Sequence, residues 1–270
     1  MRRNDALFTG TIPQLYDRHM VPMLFAPYAA VIAERVRTAS ACRVLETAAG
    51  TGVLTKALLD ALSPLAEITA TDLNEPMVAY GASHIVHPRV RWASADAQAL
   101  PFDAQAFDVV VCQFGVMFFP DRLPAFAEAR RVLDHSGTFV FSVWDDLSHN
   151  DFARAVHNAL TAYFPGDPPQ FIARTPHGHA DVAELERTLR AAGFTRVGVE
   201  RVEARSRAPS PREPAVALCQ GTPLRNEILA RAPDALEAVT EAVAAALAAA
   251  FGPGPIEGEM RAYLVTARQR

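Results

Sequence analysis

Apolar residues in this chain gather in short runs that alternate with amphipathic stretches, and turn residues separate the two. From Pro27 onward, Tyr28, Val31, Ile32 and Val36 recur at a helical period and define one apolar helix face. Beta-type runs then follow at residues 43–47, 67–73, 90–96, 107–114, 137–144, 195–202 and, near the end, 259–268. Helical patterns fill most of the gaps, at residues 52–61, 75–83, 121–133 and 181–192, the last stopped by Gly193 as a C-cap. The stretch "FDVVVCQF" is apolar almost throughout, as expected of a strand covered on both faces. Strand–helix alternation of this kind predicts a parallel sheet with helices on both sides.

Two segments depart from the repeat. Residues 145–180 suggest a helix followed by a Pro/Gly/His-rich loop. Residues 210–252 form a helical insertion in which Leu236, Val239, Val243, Leu247 and Phe251 lie on one stripe, ended by "GPGP". No internal repeat or flexible linker is evident. The expectation is one α/β domain with a helical cap: amino-terminal helices in residues 1–40, a core in 41–208, the insertion in 209–256 and a final strand in 257–270.

Composition narrows the function. Half the residues are hydrophobic and 21% charged, ordinary values for a globular protein, and the formal net charge is −4. No excess of Lys and Arg exists to neutralise phosphates, which argues against a nucleic-acid binder. The basic run at residues 201–207 reads as the solvated face of a strand. Cys42, Cys112 and Cys219 are far apart and odd in number, so they suit a reducing compartment and offer no zinc spacing. The start "MRRNDALFTG" lacks the apolar core of a signal peptide, and no run approaches the roughly 20 residues that span a bilayer. A cytoplasmic location is expected.

The most informative stretch is "VLETAAGTGVLT", residues 44–55, which reads as strand end, small-residue turn and helix start. A loop this poor in side chains lets its backbone approach a ligand closely. Asp72 ends the second strand 20 residues after Gly52, where a carboxylate can accept from both hydroxyls of a ribose. That feature suits NAD as well. The loop itself does not: the dinucleotide fingerprint needs a small last residue, and Thr55 stands there. Glu46, just before the turn, would repel a pyrophosphate and welcome an ammonium. A phosphate-binding P-loop is excluded, because no GK[ST] follows.

Together "VLETAAGTG", "TATDLNEPMV", "ADAQALPF", "FDVVVCQFGVMFFPD" and "RVLDHSGTFVFSVWD" resemble the class I S-adenosylmethionine-dependent methyltransferases, most closely the small-molecule branch that includes ubiquinone and menaquinone biosynthesis enzymes. The resemblance is strong from about residue 16 to 144. It implies a Rossmann-like, seven-stranded, mostly parallel sheet with helices on both faces and S-adenosyl-L-methionine as cofactor. It further implies roles at matching positions. Glu46 and the backbone at Ala48, Gly50 and Gly52 would hold the methionine end, and Asp72 the ribose. Leu73 and Met77 would wall the adenosine, and Asp96 and Ala97 would meet the adenine edge. Cys112, Gln113 and Phe114 would line the pocket beside the sulfonium. One position departs from the pattern: the family usually carries glycine where this chain has Ala48, and the extra methyl narrows the loop.

A sulfonium methyl is already activated, so its transfer requires orientation and exclusion of water rather than a covalent nucleophile. A base helps when the acceptor must lose a proton. His149, in "WDDLSHND", is the first candidate, with His19 and Tyr16 next. "HGH" at residues 177–179 supplies at most half a metal site, so no metal is expected. Choice of a small, partly hydrophobic acceptor is assigned to the amino-terminal helices and the 210–252 insertion, with the insertion expected over the strand ends. The alternatives are a non-catalytic S-adenosylmethionine-binding module and an NAD-dependent oxidoreductase.

Overall fold

The computed structural model describes residues 5, 8, 10–39 and 41–269. Most of the amino-terminal stretch read above for a signal peptide lies outside the described residues. The chain divides into two compact units. One, the sheet unit, comprises Pro27–Val143, Asp181–Val202 and Tyr263–Arg270; the second comprises Met1–Ala26, Trp144–Ala180 and Glu203–Ala262. Residues 5–26 therefore group with the 210–252 helices, whereas the helix that follows them groups with the sheet.

All seven expected strands form: β1 (Arg43–Glu46), β2 (Glu67–Asp72), β3 (Val90–Ser94), β4 (Phe107–Gln113), β5 (Leu133–Trp144), β6 (Arg196–Ala208) and β7 (Ile256–Arg268). Their order in the sheet is β3-β2-β1-β4-β5-β7-β6. β1 pairs in parallel with β2 and β4, β2 with β3, and β4 with β5. β7 runs the other way. The Thr195 amide donates to the Arg268 carbonyl at one end of β7, and the Asp145 amide to the Arg261 carbonyl further along it.

In the sheet unit, alternation along the strands separates two cores. Val44, Ile68, Val109, Val111 and Val140 pack with Ile32 and Val36 of the Ala26–Thr38 helix and with Leu54 and Leu58 of the Val53–Ala61 helix. Phe139 and Phe141 of β5 gather Phe126 and Phe194, with ring centroids 4.9–5.9 Å apart. Three strands exceed their expected lengths. β5 begins at Leu133 because an irregularity between Phe107 and Val109 absorbs the polar "DHSG", in which Asp134 accepts from the Ser136 amide.

β6 and β7 run on as a charged ribbon. Arg205 and Arg207 are exposed and pair with Glu257, and Arg205 also with Glu259, so the basic run is a solvated strand face, as read. In the second unit the stripe of the Leu236–Phe251 helix is buried at Val239, Val243 and Leu247. It lies against the Arg212–Gln220 and Asp151–Tyr163 helices, with Phe251 edge-on to Phe152 at 5.2 Å. The amino-terminal helix of this unit, Tyr16–Phe25, is a π-helix containing Pro22, whose missing amide interrupts an ordinary ladder.

Candidate functional site

In an open α/β sheet, ligands bind outside the carboxyl ends of the strands where the order reverses, here between β1 and β4. The loop leaving β1 is built from left-handed turns: Ala48 has φ 53°, Gly50 58° and Gly52 97°. Gly52 favours glycine on two counts, since φ 97° strains any side chain and a Cβ there would push on Ile85 at 2.5 Å and the Trp92 ring at 2.9 Å. Three contacts anchor the loop to neighbouring strands. The Thr47 amide donates to the Val111 carbonyl, the Ala49 amide to the Thr71 carbonyl, and the Gly50 amide to Asp72 Oδ2, each at 2.9 Å.

Asp72 is thus more than an open acceptor at a strand end. Its Oδ1 also accepts from the Asn74 amide at 2.8 Å and from Asn74 Nδ2 at 3.2 Å. A carboxylate offers about four acceptor sites, so bracing the loop leaves limited room for ribose hydroxyls. Burial raises its pKa, and the amide bonds from Asn74 and Gly50 oppose that shift.

Glu46 also departs from the simple expectation. Its side chain is 1% exposed and accepts from Thr55 Oγ1 at 2.6 Å, beneath the loop rather than open at its surface. Desolvation, partly opposed by Thr55 and increased by the nearby Asp72 charge, pushes its pKa up to about 8. Both acids adjoin this loop, and burial disfavours the charged form of each. Within that loop the Thr51 hydroxyl is buried and has no hydrogen-bond partner. A ligand that brings an ammonium together with oxygen acceptors answers both deficits, as the methionine end of S-adenosylmethionine does.

The remaining expected residues fall around this centre in varied states. Met77 is buried on the Glu75–His84 helix, whereas Leu73 is 61% exposed beside Asp72. Asp96 and Ala97 are half-buried, with Asp96 Oδ1 accepting from the Gln98 amide at 2.9 Å in a local turn. Cys112 is fully buried and its thiol is pushed up to about 12 by desolvation, so it is no nucleophile. Gln113 is half-buried at the end of β4. Phe114 follows at φ 51°, its amide donating to Ser142 Oγ at 3.1 Å and its ring edge-on to Tyr28 at 5.2 Å. Thr51, Thr55 and Ser142 were not singled out as site residues from the sequence. Thr55 stood there only as a departure from the dinucleotide fingerprint.

The candidate bases belong to the second unit. His149 is exposed and lines a shallow cavity with Glu203, Arg205, Glu259 and Arg261. His19 Nδ1 pairs with Glu213, and Tyr16 stacks on Phe25 at 5.1 Å. His177 is buried, its Nδ1 is 2.9 Å from the Asp145 carbonyl, and burial lowers its pKa to about 4.

A methyltransferase-domain family model matches residues 45–141, which span β1 to β5. The ubiquinone/menaquinone biosynthesis C-methyltransferase UbiE of Burkholderia mallei is 34% identical over 165 residues, covering 57% of this chain and 68% of the relative. Among solved structures, the YcgJ protein of Bacillus subtilis covers 90% of this chain and 99% of its own at 19% identity, with a TM-score of 0.56. The [4+2]-cyclase SpnF covers 90% of this chain and 80% of its own at 19% identity and a TM-score of 0.54. Those two likenesses establish the shared fold. The chain belongs to the class I S-adenosylmethionine-dependent methyltransferases. It is similar to the UbiE enzymes, its cofactor is S-adenosylmethionine, and its acceptor is a small molecule. These matches favour neither the non-catalytic binding module nor the NAD-dependent alternative. Among the described residues, no helix is long and apolar enough to cross a membrane.

Proposed function

We propose that the carboxyl ends of β1, β2 and β4 hold S-adenosylmethionine for transfer of its methyl group to a partly hydrophobic acceptor. The observation that carries this reading is a buried Glu46 at the end of β1 followed, in the loop it leads into, by a buried Thr51 hydroxyl with no hydrogen-bond partner. When bound, the cofactor supplies an electrophilic methyl group on a sulfonium. Glu46 and Asp72 balance positive charge, the Thr51 hydroxyl and the Ala48 and Thr51 amides bind the carboxylate end, and Asp72 and Met77 face the nucleoside. Asp96 and Ala97 meet the adenine. Cys112, Gln113 and Phe114 keep water from the reacting centre, where orientation, worth up to about 7–11 kcal/mol in well-aligned reactions, is the main source of rate enhancement.

The Burkholderia relatives, as ubiquinone/menaquinone biosynthesis C-methyltransferases, make an acceptor carbon in an intermediate of ubiquinone or menaquinone biosynthesis the first acceptor to assay. Acceptor choice is assigned to residues 5–26 and 210–252. The net charge of −4 supports a small molecule over a nucleic acid, and three cysteines, odd in number and far apart in sequence, support a cytoplasmic location. Incubation with methyl-labelled S-adenosylmethionine and a quinone-precursor panel tests this. Label should pass into an organic-extractable product at a C–CH3 position. Label on oxygen or nitrogen would reassign the acceptor atom.

A further inference from the structure

The departure at Ala48 has a counterpart across the site. Ala48 is left-handed at φ 53°, a conformation that disfavours any residue with a side chain, and so is Phe114 at φ 51°. These two strained positions belong to the loops leaving β1 and β4. Gly115 joins them. A Cβ on Gly115 would lie 2.4 Å from the Ala48 Cβ and 2.6 Å from Cys112 Sγ, distances that real Cβ atoms do not reach. The Ala48 methyl therefore lodges in the space that a side chain at Gly115 would occupy. Phe114 is fixed on the other side by its amide bond to Ser142 Oγ and by its ring against Tyr28.

We propose that Ala48 and Gly115 are a matched pair of positioning residues, in which the Ala48 methyl, seated on Gly115, holds the β1 loop in its cofactor-binding form. The inference rests on the cofactor reading given above. Glycine at position 48 would adopt φ 53° more readily, yet it would also reach many other conformations and would lose the contact. The loop would then spend part of its time in forms that do not bind, and apparent affinity would fall by that fraction. Strain at Ala48 is thus tied to preorganisation, a pattern found where function needs a fixed backbone.

A double-mutant cycle read by calorimetric binding of S-adenosylhomocysteine and by thermal melting tests the pair. Ala48→Gly should weaken binding by about three- to tenfold, with a melting temperature equal to or above that of the natural protein. A merely structural methyl would instead move melting and leave affinity alone. Gly115→Ala should lower both. In the combined variant the clash with residue 48 is gone, and binding should recover relative to Gly115→Ala alone. Unchanged affinity in Ala48→Gly, or strictly additive effects around the cycle, would overturn the proposal. If Gly115→Ala does not fold, the Ala48→Gly result decides alone. Absence of S-adenosylhomocysteine binding to the natural protein would instead overturn the cofactor reading, so the two failures are separable.

Discussion

The Gly50 amide and Asp72 Oδ2, 22 positions apart in sequence, are joined by a 2.9 Å hydrogen bond that ties the β1 loop to the end of β2. The carboxylate expected to grip a ribose thus also fixes the loop proposed to meet the methionine end. Its loss should cost twice. Asp72→Ala is expected to weaken S-adenosylhomocysteine binding by about 1.5–3 kcal/mol, roughly 10- to 150-fold, as for hydrogen bonds to a charged group. It should also lower the melting temperature, because the Gly50 and Asn74 amides lose their acceptor. Isothermal calorimetry beside a melt checks both. Weaker binding with unchanged stability would mean that the brace contributes nothing.

Glu46 predicts a pH dependence with a definite sign. Its folded pKa of about 8 lies above the ordinary carboxyl value of 4.5, so the native state holds a proton that the unfolded state releases. This carboxyl favours folding least at high pH: stability should decline as pH rises from about 5 towards 8. Glu46→Gln, which keeps an acceptor for Thr55, should flatten that decline when unfolding is measured by urea titration from pH 5 to 9. A decline of equal steepness in the variant would assign it to other groups.

Cofactor binding should release protons for the same reason. An ammonium near Glu46 favours the carboxylate, so binding at pH 7 should expel part of a proton into the buffer. Calorimetry in buffers of different ionisation enthalpy reads this directly. The release should shrink in Glu46→Gln, and identical release in both proteins would remove Glu46 from the ammonium site.

The insertion offers a test of stability alone. Leu247 is fully buried between helices of the second unit, so Leu247→Ala should cost about 2–5 kcal/mol through lost burial and the cavity left behind. Chemical denaturation would show it, and a cost under about 0.5 kcal/mol, the range of surface substitutions, would place that side chain at the surface.

Much of this was legible because strand burial writes itself into the sequence. The apolar run ending at Gln113 and the alternation that buries Ile68 but not Glu67 both mark strands. The stripe on the Leu236–Phe251 helix was readable for the same reason. Extensions at β5, β6 and β7 were not, since polar strand ends look like turns until a partner strand supplies their hydrogen bonds. The π-helix at Tyr16–Phe25 was hidden because Pro22 reads as a helix breaker. At the site, motif order identified Glu46 and Asp72 but not their inward roles. Those depend on Thr55 reaching back to Glu46 and on Gly50 arriving at Asp72 from another loop, which no local pattern encodes. The space that receives the Ala48 methyl likewise comes from Gly115, 67 positions along the chain.

The central claim, that cofactor binds at the carboxyl ends of β1, β2 and β4, is tested most directly by amide hydrogen exchange with and without S-adenosylhomocysteine. Exchange should slow at residues 47–52, 72–77 and 112–115, and Asp72→Ala should diminish that protection. Binding accompanied by protection elsewhere, with these three segments unchanged, would contradict the account.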